Sequence, residues 1–124
     1  MTLRVLAIDD SRTIRELLRG PIEGAGFEYH CAEHGVHGVE QFSIVEPDVV
    51  ITDINMPELD GFGVIEALRN GDARTSVPIL VLTTESSDTL KQRARAAGAT
   101  GWIVKPFEDT ALISVLRRVT GHLH

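Results

Sequence analysis

The chain has 124 residues, with 12 Lys plus Arg against 18 Asp plus Glu and a formal net charge of −6. That length suits one domain around one core, and the acidic balance gives no general electrostatic reason to bind nucleic acid or anionic lipid. No apolar run approaches the ~18 residues of a membrane span, the start MTLRVLAIDD lacks the basic lead and long apolar core of a signal peptide, and Cys31 has no second cysteine to pair with; the chain therefore reads as a cytoplasmic monomer in a reducing compartment.

The apolar run VLAI (5–8) predicts a first strand that ends on Asp9-Asp10. Ile14, Leu17 and Leu18 follow at helical spacing, up to Pro21, whose ring should clash with the carbonyl of Leu17 and kink or end the helix. FEYHCA (27–32) is a weaker second strand, and a helical pattern covers about 35–45. Cys31, His34 and His37 stand three residues apart, which suggests a transition-metal site, but only three soft ligands are present and a structural role is the stronger reading. VVIT (49–52) is a third strand that runs into Asp53 and then Asn-Met-Pro. A helix near 61–70 is followed by ILVLTT (79–84), a strand ending on Thr83-Thr84, and by a helix near 87–97. WIV (102–104) leads into Lys105-Pro106, and Leu112, Val115, Leu116 and Val119 mark a last helix, beyond which His122 and His124 belong to a frayed end.

Strands without polar alternation are buried on both faces, as in parallel sheets. Five β-α units with right-handed crossovers make a doubly wound three-layer α/β/α domain. No linker or internal repeat interrupts residues 1–124, which read as a single stand-alone domain.

In such a sheet, functional groups gather outside the carboxyl ends of the strands. Those ends carry Asp9 and Asp10, Asp53, Thr83 and Thr84, and Lys105. Three carboxylates within a few ångströms repel one another unless a cation bridges them. Mg²⁺ suits that role, because it prefers oxygen ligands and keeps several waters. Lys105 and the Thr83 hydroxyl then face the spot where a transferring phosphoryl group would sit, and Asp53 is the candidate nucleophile.

The motifs IDDSRTIR (8–15), DVVITDINMPELDGFGVI (48–65), PILVLTTES (78–86) and GATGWIVKPF (98–107) resemble the receiver domain of two-component response regulators, most of all the single-domain chemotaxis regulators of the CheY type. The resemblance covers essentially the whole chain. It implies a five-stranded parallel sheet of order 2-1-3-4-5, the flavodoxin-like order. It implies that Asp53 is the phospho-acceptor, that Asp10, Asp53 and the backbone carbonyl of Asn55 bind Mg²⁺, and that Asp9 helps through metal-bound water. Thr83 and Lys105 would contact the phosphoryl group and Thr84 would donate its backbone N–H to it. Asn55 and Glu85 would flank the path of the attacking water. Trp102 stands where the family often has Tyr or Phe, and with Thr83 it would form the switch.

The implied function is a phosphorylation-dependent signalling switch rather than a conventional enzyme. A CheA-like histidine kinase would supply the phosphoryl group, and the surface of the fourth helix, fifth strand and fifth helix would act on a flagellar motor switch protein or another output protein. Lys91 and Arg95, spaced i, i+4, could present a basic stripe to an acidic partner there. A phosphate-sink or stress-signalling regulator is an alternative within the family. Rivals from other classes are a Mg²⁺-dependent aspartyl-phosphate phosphatase, which would need an Asp-x-Asp loop and a cap, and a flavin-binding module, whose phosphate Asp9 and Asp10 would repel.

Overall fold

A computed structural model of the chain describes residues 2–71 and 75–121, so His122 and His124 lie outside the described residues. Strands and helices alternate throughout: β1 (Arg4–Ile8), α1 (Arg12–Gly24), β2 (Glu28–Ala32), α2 (Gly35–Val45), β3 (Val49–Thr52), α3 (Gly61–Asn70), β4 (Ile79–Thr83), α4 (Asp88–Ala97), β5 (Gly101–Val104) and α5 (Asp109–Val119). The strands pair in parallel in the order β2-β1-β3-β4-β5, as the resemblance implies. Among the described residues no helix is long and apolar enough to cross a membrane.

Successive residues of a strand point to opposite faces, and this divides the apolar interior in two. Leu6, Ile8, Val50 and Val81 pack against Phe62, Ile65 and Leu68 of α3 and Ala94 of α4. Val5, Ala7, Ile51 and Leu82 meet Leu18 and Ile22 of α1 and Leu112 and Leu116 of α5. Each fully buried Leu, Ile or Val contributes ~1.5–3 kcal/mol through lost contact with water. The chain leaves β1 toward β2 on one side and returns as β3 on the other, so the loops after β1 and β3 part and leave a crevice between them.

Local chemistry sets the helix starts. Ser11, Asp60 and Ser87 cap α1, α3 and α4 by accepting the N–H of the residue three positions on. His34 does the same for α2, its Nδ1 accepting from His37 N–H at 3.1 Å, while His37 Nδ1 accepts from Glu33 N–H at 3.3 Å. Each ring therefore carries its proton on Nε2 and keeps no lone pair for a metal. Cys31, His34 and His37 do not converge: among the described residues the only group of three or more metal-capable His, Cys, Asp or Glu is Asp9, Asp10 and Asp53.

Three expectations need correction. β4 ends at Thr83, leaving Thr84 exposed in the following loop. β5 is only half-buried although its sequence reads like the inner strands, because it lies at the sheet edge. Helix α1 does not end at Pro21 but continues to Gly24. Gly20 has no Cβ to meet the proline ring, and Leu17, whose carbonyl loses its donor, lies on the exposed side at 55%, where water can replace the missing N–H.

Pro21→Ala restores that helix bond. The helix-interior penalty of ~3 kcal/mol for proline, less the ~1 kcal/mol by which proline restricts the unfolded chain, leaves an expected gain of about 2 kcal/mol. Urea denaturation would show it as a higher midpoint at unchanged slope; an unaltered midpoint would mean that α1 has already relaxed around the ring.

Candidate functional site

The crevice after β1, β3 and β5 brings Asp9, Asp10, Asp53 and Lys105 together. One carboxylate oxygen from each of the three acids lies within 4.8 Å of the other two. The ammonium of Lys105 donates to Asp9 Oδ2 at 2.9 Å and to Asp53 Oδ2 at 3.2 Å, with the side chains of Lys105, Asp9 and Asp53 only 11%, 2% and 12% exposed. Buried charges survive when paired and hydrogen-bonded, and here the remaining oxygens also find donors. Asp9 Oδ1 accepts from Ser11 N–H at 2.9 Å and Asp53 Oδ1 from Ile54 N–H at 2.7 Å. Asp10 is exposed and has no side-chain bond among the described residues.

The backbone of Asp53 is fixed from several sides. Its N–H donates to Ile8 O at 3.0 Å, extending the β1-β3 ladder one residue beyond the strands, and its carbonyl accepts from the Thr52 hydroxyl at 2.8 Å. A Cβ at Gly61 would collide with that same carbonyl oxygen, so glycine lets α3 start directly beneath the acceptor loop. Asn55 is exposed on this loop.

Burial is the largest influence on Asp9 and raises its pKa above the ordinary 3.8; the Ser11 amide and Lys105 pull it back down, and the charge of Asp53 pushes it up. Asp9 is thus a carboxylate that the fold holds against its own desolvation.

A second network adjoins the first. Thr83 is fully buried, its hydroxyl accepts from Glu85 N–H at 3.3 Å, and its carbonyl accepts from Lys105 N–H at 2.7 Å. The indole N–H of Trp102 donates to Glu85 O at 2.9 Å. Trp102 therefore has the polar partner that a half-buried indole requires, and it ties β5 to the loop that carries Thr83, Thr84 and Glu85.

Patterning missed Arg15, whose guanidinium donates to Asp9 O at 2.7 Å. Its spacing does not distinguish it from Arg12, which is exposed on the same helix, or from Arg19, which pairs with Glu16 and Glu23. The amides of Ser11 and Ile54 also carry no side-chain signature that could have disclosed them.

Residues 5–117 match the family described as the response regulator receiver domain. The chain belongs to that family. The receiver domain is similar to chemotaxis protein CheY4 of Vibrio cholerae, with 40% identity and a TM-score of 0.90 over 96% of this chain and 99% of that one. It is 36% identical to response regulator MprA of Mycobacterium ulcerans over 94% of this chain and 50% of that protein. It is 33% identical to regulatory protein AtoC of Escherichia coli K12 over 93% and 24%. The receiver domain thus spans about half or less of the length of these two curated relatives. Its membership sets aside the phosphatase and flavin readings and makes it the receiver of a two-component system.

Between the ordinary and the raised pKa of Asp9, the folded receiver domain keeps a proton that the unfolded chain has released. Ionising Asp9 therefore costs stability as pH rises through that window, and the cost disappears as pH falls below the ordinary value. Asp9→Asn removes the buried charge and retains an oxygen for Ser11 N–H. With divalent cations chelated, it should be more stable than wild type at pH 7 and lose that advantage near pH 4. Urea midpoints at the two pH values check this; lower stability of the variant at pH 7 would show that the Lys105 pair outweighs burial.

Proposed function

We propose that this receiver domain is a phosphorylation switch whose acceptor is Asp53. The observation that carries the reading is the Asp53 carboxylate held at 3.2 Å by a nearly buried lysine beside two further acids. An oxygen of Asp53 attacks phosphorus in a kinase phosphohistidine; the new O–P bond forms as the P–N bond breaks, and the imidazole leaves. Lys105, which now bridges Asp9 and Asp53, can turn its ammonium to the phosphoryl oxygens. The Thr83 hydroxyl and Thr84 N–H supply further donors to the same oxygens.

Receiver domains bind Mg²⁺ at an acidic pocket, and the donor set here fits that ion, with hard oxygen ligands converging and one acid, Asp10, open to solvent. Asp10, Asp53 and the Asn55 carbonyl would hold it, with Asp9 acting through water. When bound, it supplies positive charge against the oxygens of the transferring group. Asn55, two residues after the acceptor, and Glu85, two after Thr83, would hydrogen-bond the water that later removes the phosphoryl group.

The signal leaves through α4, β5 and α5 toward an output protein. Lys91 and Arg95 line a cleft of about 70 Å³ with Ala94, Thr100, Gly101 and Trp102, a setting suited to an acidic partner segment. Similarity along nearly the full length of a chemotaxis protein supports a chemotaxis role, with a CheA-like histidine kinase as donor and a flagellar motor switch protein as target. A phosphate-sink role would need no output contact.

Treatment with acetyl phosphate and Mg²⁺ should add one phosphoryl group to wild type and none to Asp53→Asn, read by intact mass. A full adduct on the variant would overturn the assignment.

Trp102 is the only tryptophan and its indole is bonded to the loop that follows Thr83, so its emission should change when Mg²⁺ and beryllofluoride, a phosphoryl mimic, are added. Asp53→Asn should show no change. Thr83→Ala should bind the mimic yet give a smaller response, because the hydroxyl that would draw the loop inward is gone. Flat emission from fully occupied wild type would rule out the coupling of Thr83 to Trp102.

A further inference from the structure

Of the three clustered acids, two are fixed by their side chains and one is not. Asp9 and Asp53 each have both carboxylate oxygens in hydrogen bonds. Asp10 makes no side-chain bond among the described residues and is exposed, although one of its oxygens must converge with those of Asp9 and Asp53. Its direction is therefore set by its backbone, and above all by the peptide that joins it to Asp9.

That peptide is held on its carbonyl side by Arg15, whose guanidinium donates to Asp9 O at 2.7 Å. Arg15 is itself anchored at several points. Its N–H donates to Ser11 O at 3.1 Å in the first turn of α1. Its carbonyl accepts at 2.8 Å from the hydroxyl of Tyr29 on β2, a buried ring covered by the guanidinium of Arg19 at 5.0 Å. Burial keeps the Tyr29 hydroxyl protonated and thus a donor. A chain of contacts runs from β2 through α1 to the Asp9-Asp10 peptide, and its last link is a bond from a permanently charged donor, stronger than a neutral one. The same positive charge touches the peptide between two crowded carboxylates and offsets part of their repulsion.

We propose that Arg15 is a positioning residue for the cation site: by fixing the Asp9-Asp10 peptide it aims Asp10, and so sets the affinity of the receiver domain for Mg²⁺. This rests on the reading given under the proposed function. Groups that orient metal ligands from outside the coordination sphere typically change affinity by ~10–100-fold when removed. Arg15 bonds the Asp9 carbonyl and none of the three carboxylates, so its loss should act on Mg²⁺ binding and not on the chemistry at Asp53 once the ion is bound.

Isothermal titration with Mg²⁺ alone decides the matter in wild type, Arg15→Ala and Arg15→Lys, with thermal melts in chelator to compare folding. Arg15→Ala should weaken Mg²⁺ binding by about tenfold, and Arg15→Lys, which keeps a charged donor, should recover most of that loss. Phosphorylation of Arg15→Ala by acetyl phosphate should need more Mg²⁺ but reach the wild-type rate at saturation. Wild-type affinity in Arg15→Ala overturns the proposal, as does a phosphorylation rate that stays low at saturating Mg²⁺. If Arg15→Ala does not fold, Arg15→Met and Tyr29→Phe take its place, and wild-type affinity in both overturns it. Failure of wild type to bind Mg²⁺ would overturn the functional reading as well, whereas undiminished affinity in Arg15→Ala overturns only the role of Arg15.

Discussion

The ammonium of Lys105 lies 2.9 Å from Asp9 and 3.2 Å from Asp53, joining residues that are 96 and 52 positions away in the chain. A buried acid without such a partner would be driven to hold its proton, and two acids side by side more so. The lysine can reach both only because β1 and β3 are neighbours and β5 closes the sheet beyond β4. The arrangement thus depends on the strand order, and the charge state of the crevice depends on the arrangement. On the proposed reading, the same ammonium would exchange a carboxylate oxygen for a phosphoryl oxygen.

Holding Asp53 in that crevice calls for a tight loop between β3 and α3. Glu58 takes a left-handed conformation at φ 68°, and Leu59 packs so closely that a Cβ on Gly35 of α2 would strike its carbonyl oxygen and one on Gly63 of α3 its side chain. Gly61 similarly allows α3 to begin beneath Asp53. Interiors this close-packed do not deform smoothly, and the loop that carries Asp53 therefore has little room to move on its own.

On the other side of the crevice the connections are hydrogen bonds. Lys105 is joined to Thr83 through the backbone, Thr83 to Glu85 through its hydroxyl, and Glu85 to Trp102 through the indole N–H. A residue of the site and a residue of the β5 surface therefore share one loop. A phosphoryl group that competes for the Thr83 hydroxyl would bias that loop through differential contacts, as a two-state element requires. An indole supplies a fixed donor and no acceptor, and here that donor is committed to the Glu85 carbonyl.

Much of this was legible in the residues. Unbroken runs at 5–8, 49–52 and 79–84 announced inner parallel strands, because strands covered on both faces have no polar side to encode, and acids, threonine and lysine at the ends of such runs are costly enough there to signal function. The strand order was available only through family resemblance, and β5 looked like an inner strand because edge position is not written in a four-residue run. Pro21 does not end α1, because the cost of proline in a helix depends on what surrounds its ring and on whether water can reach the carbonyl it leaves unpaired. Cys31, His34 and His37 shared a metal-like spacing, but the rings turned their Nδ1 atoms to backbone amides at the start of α2. Sequence by itself determined which chemistry the chain can perform, since that resides in the kinds of side chain placed at strand ends. Only the tertiary structure decided which groups hold them, Arg15 on the Asp9 carbonyl and Trp102 on Glu85 among them, because a bond to a backbone atom distant in the chain leaves no trace in residue type or spacing.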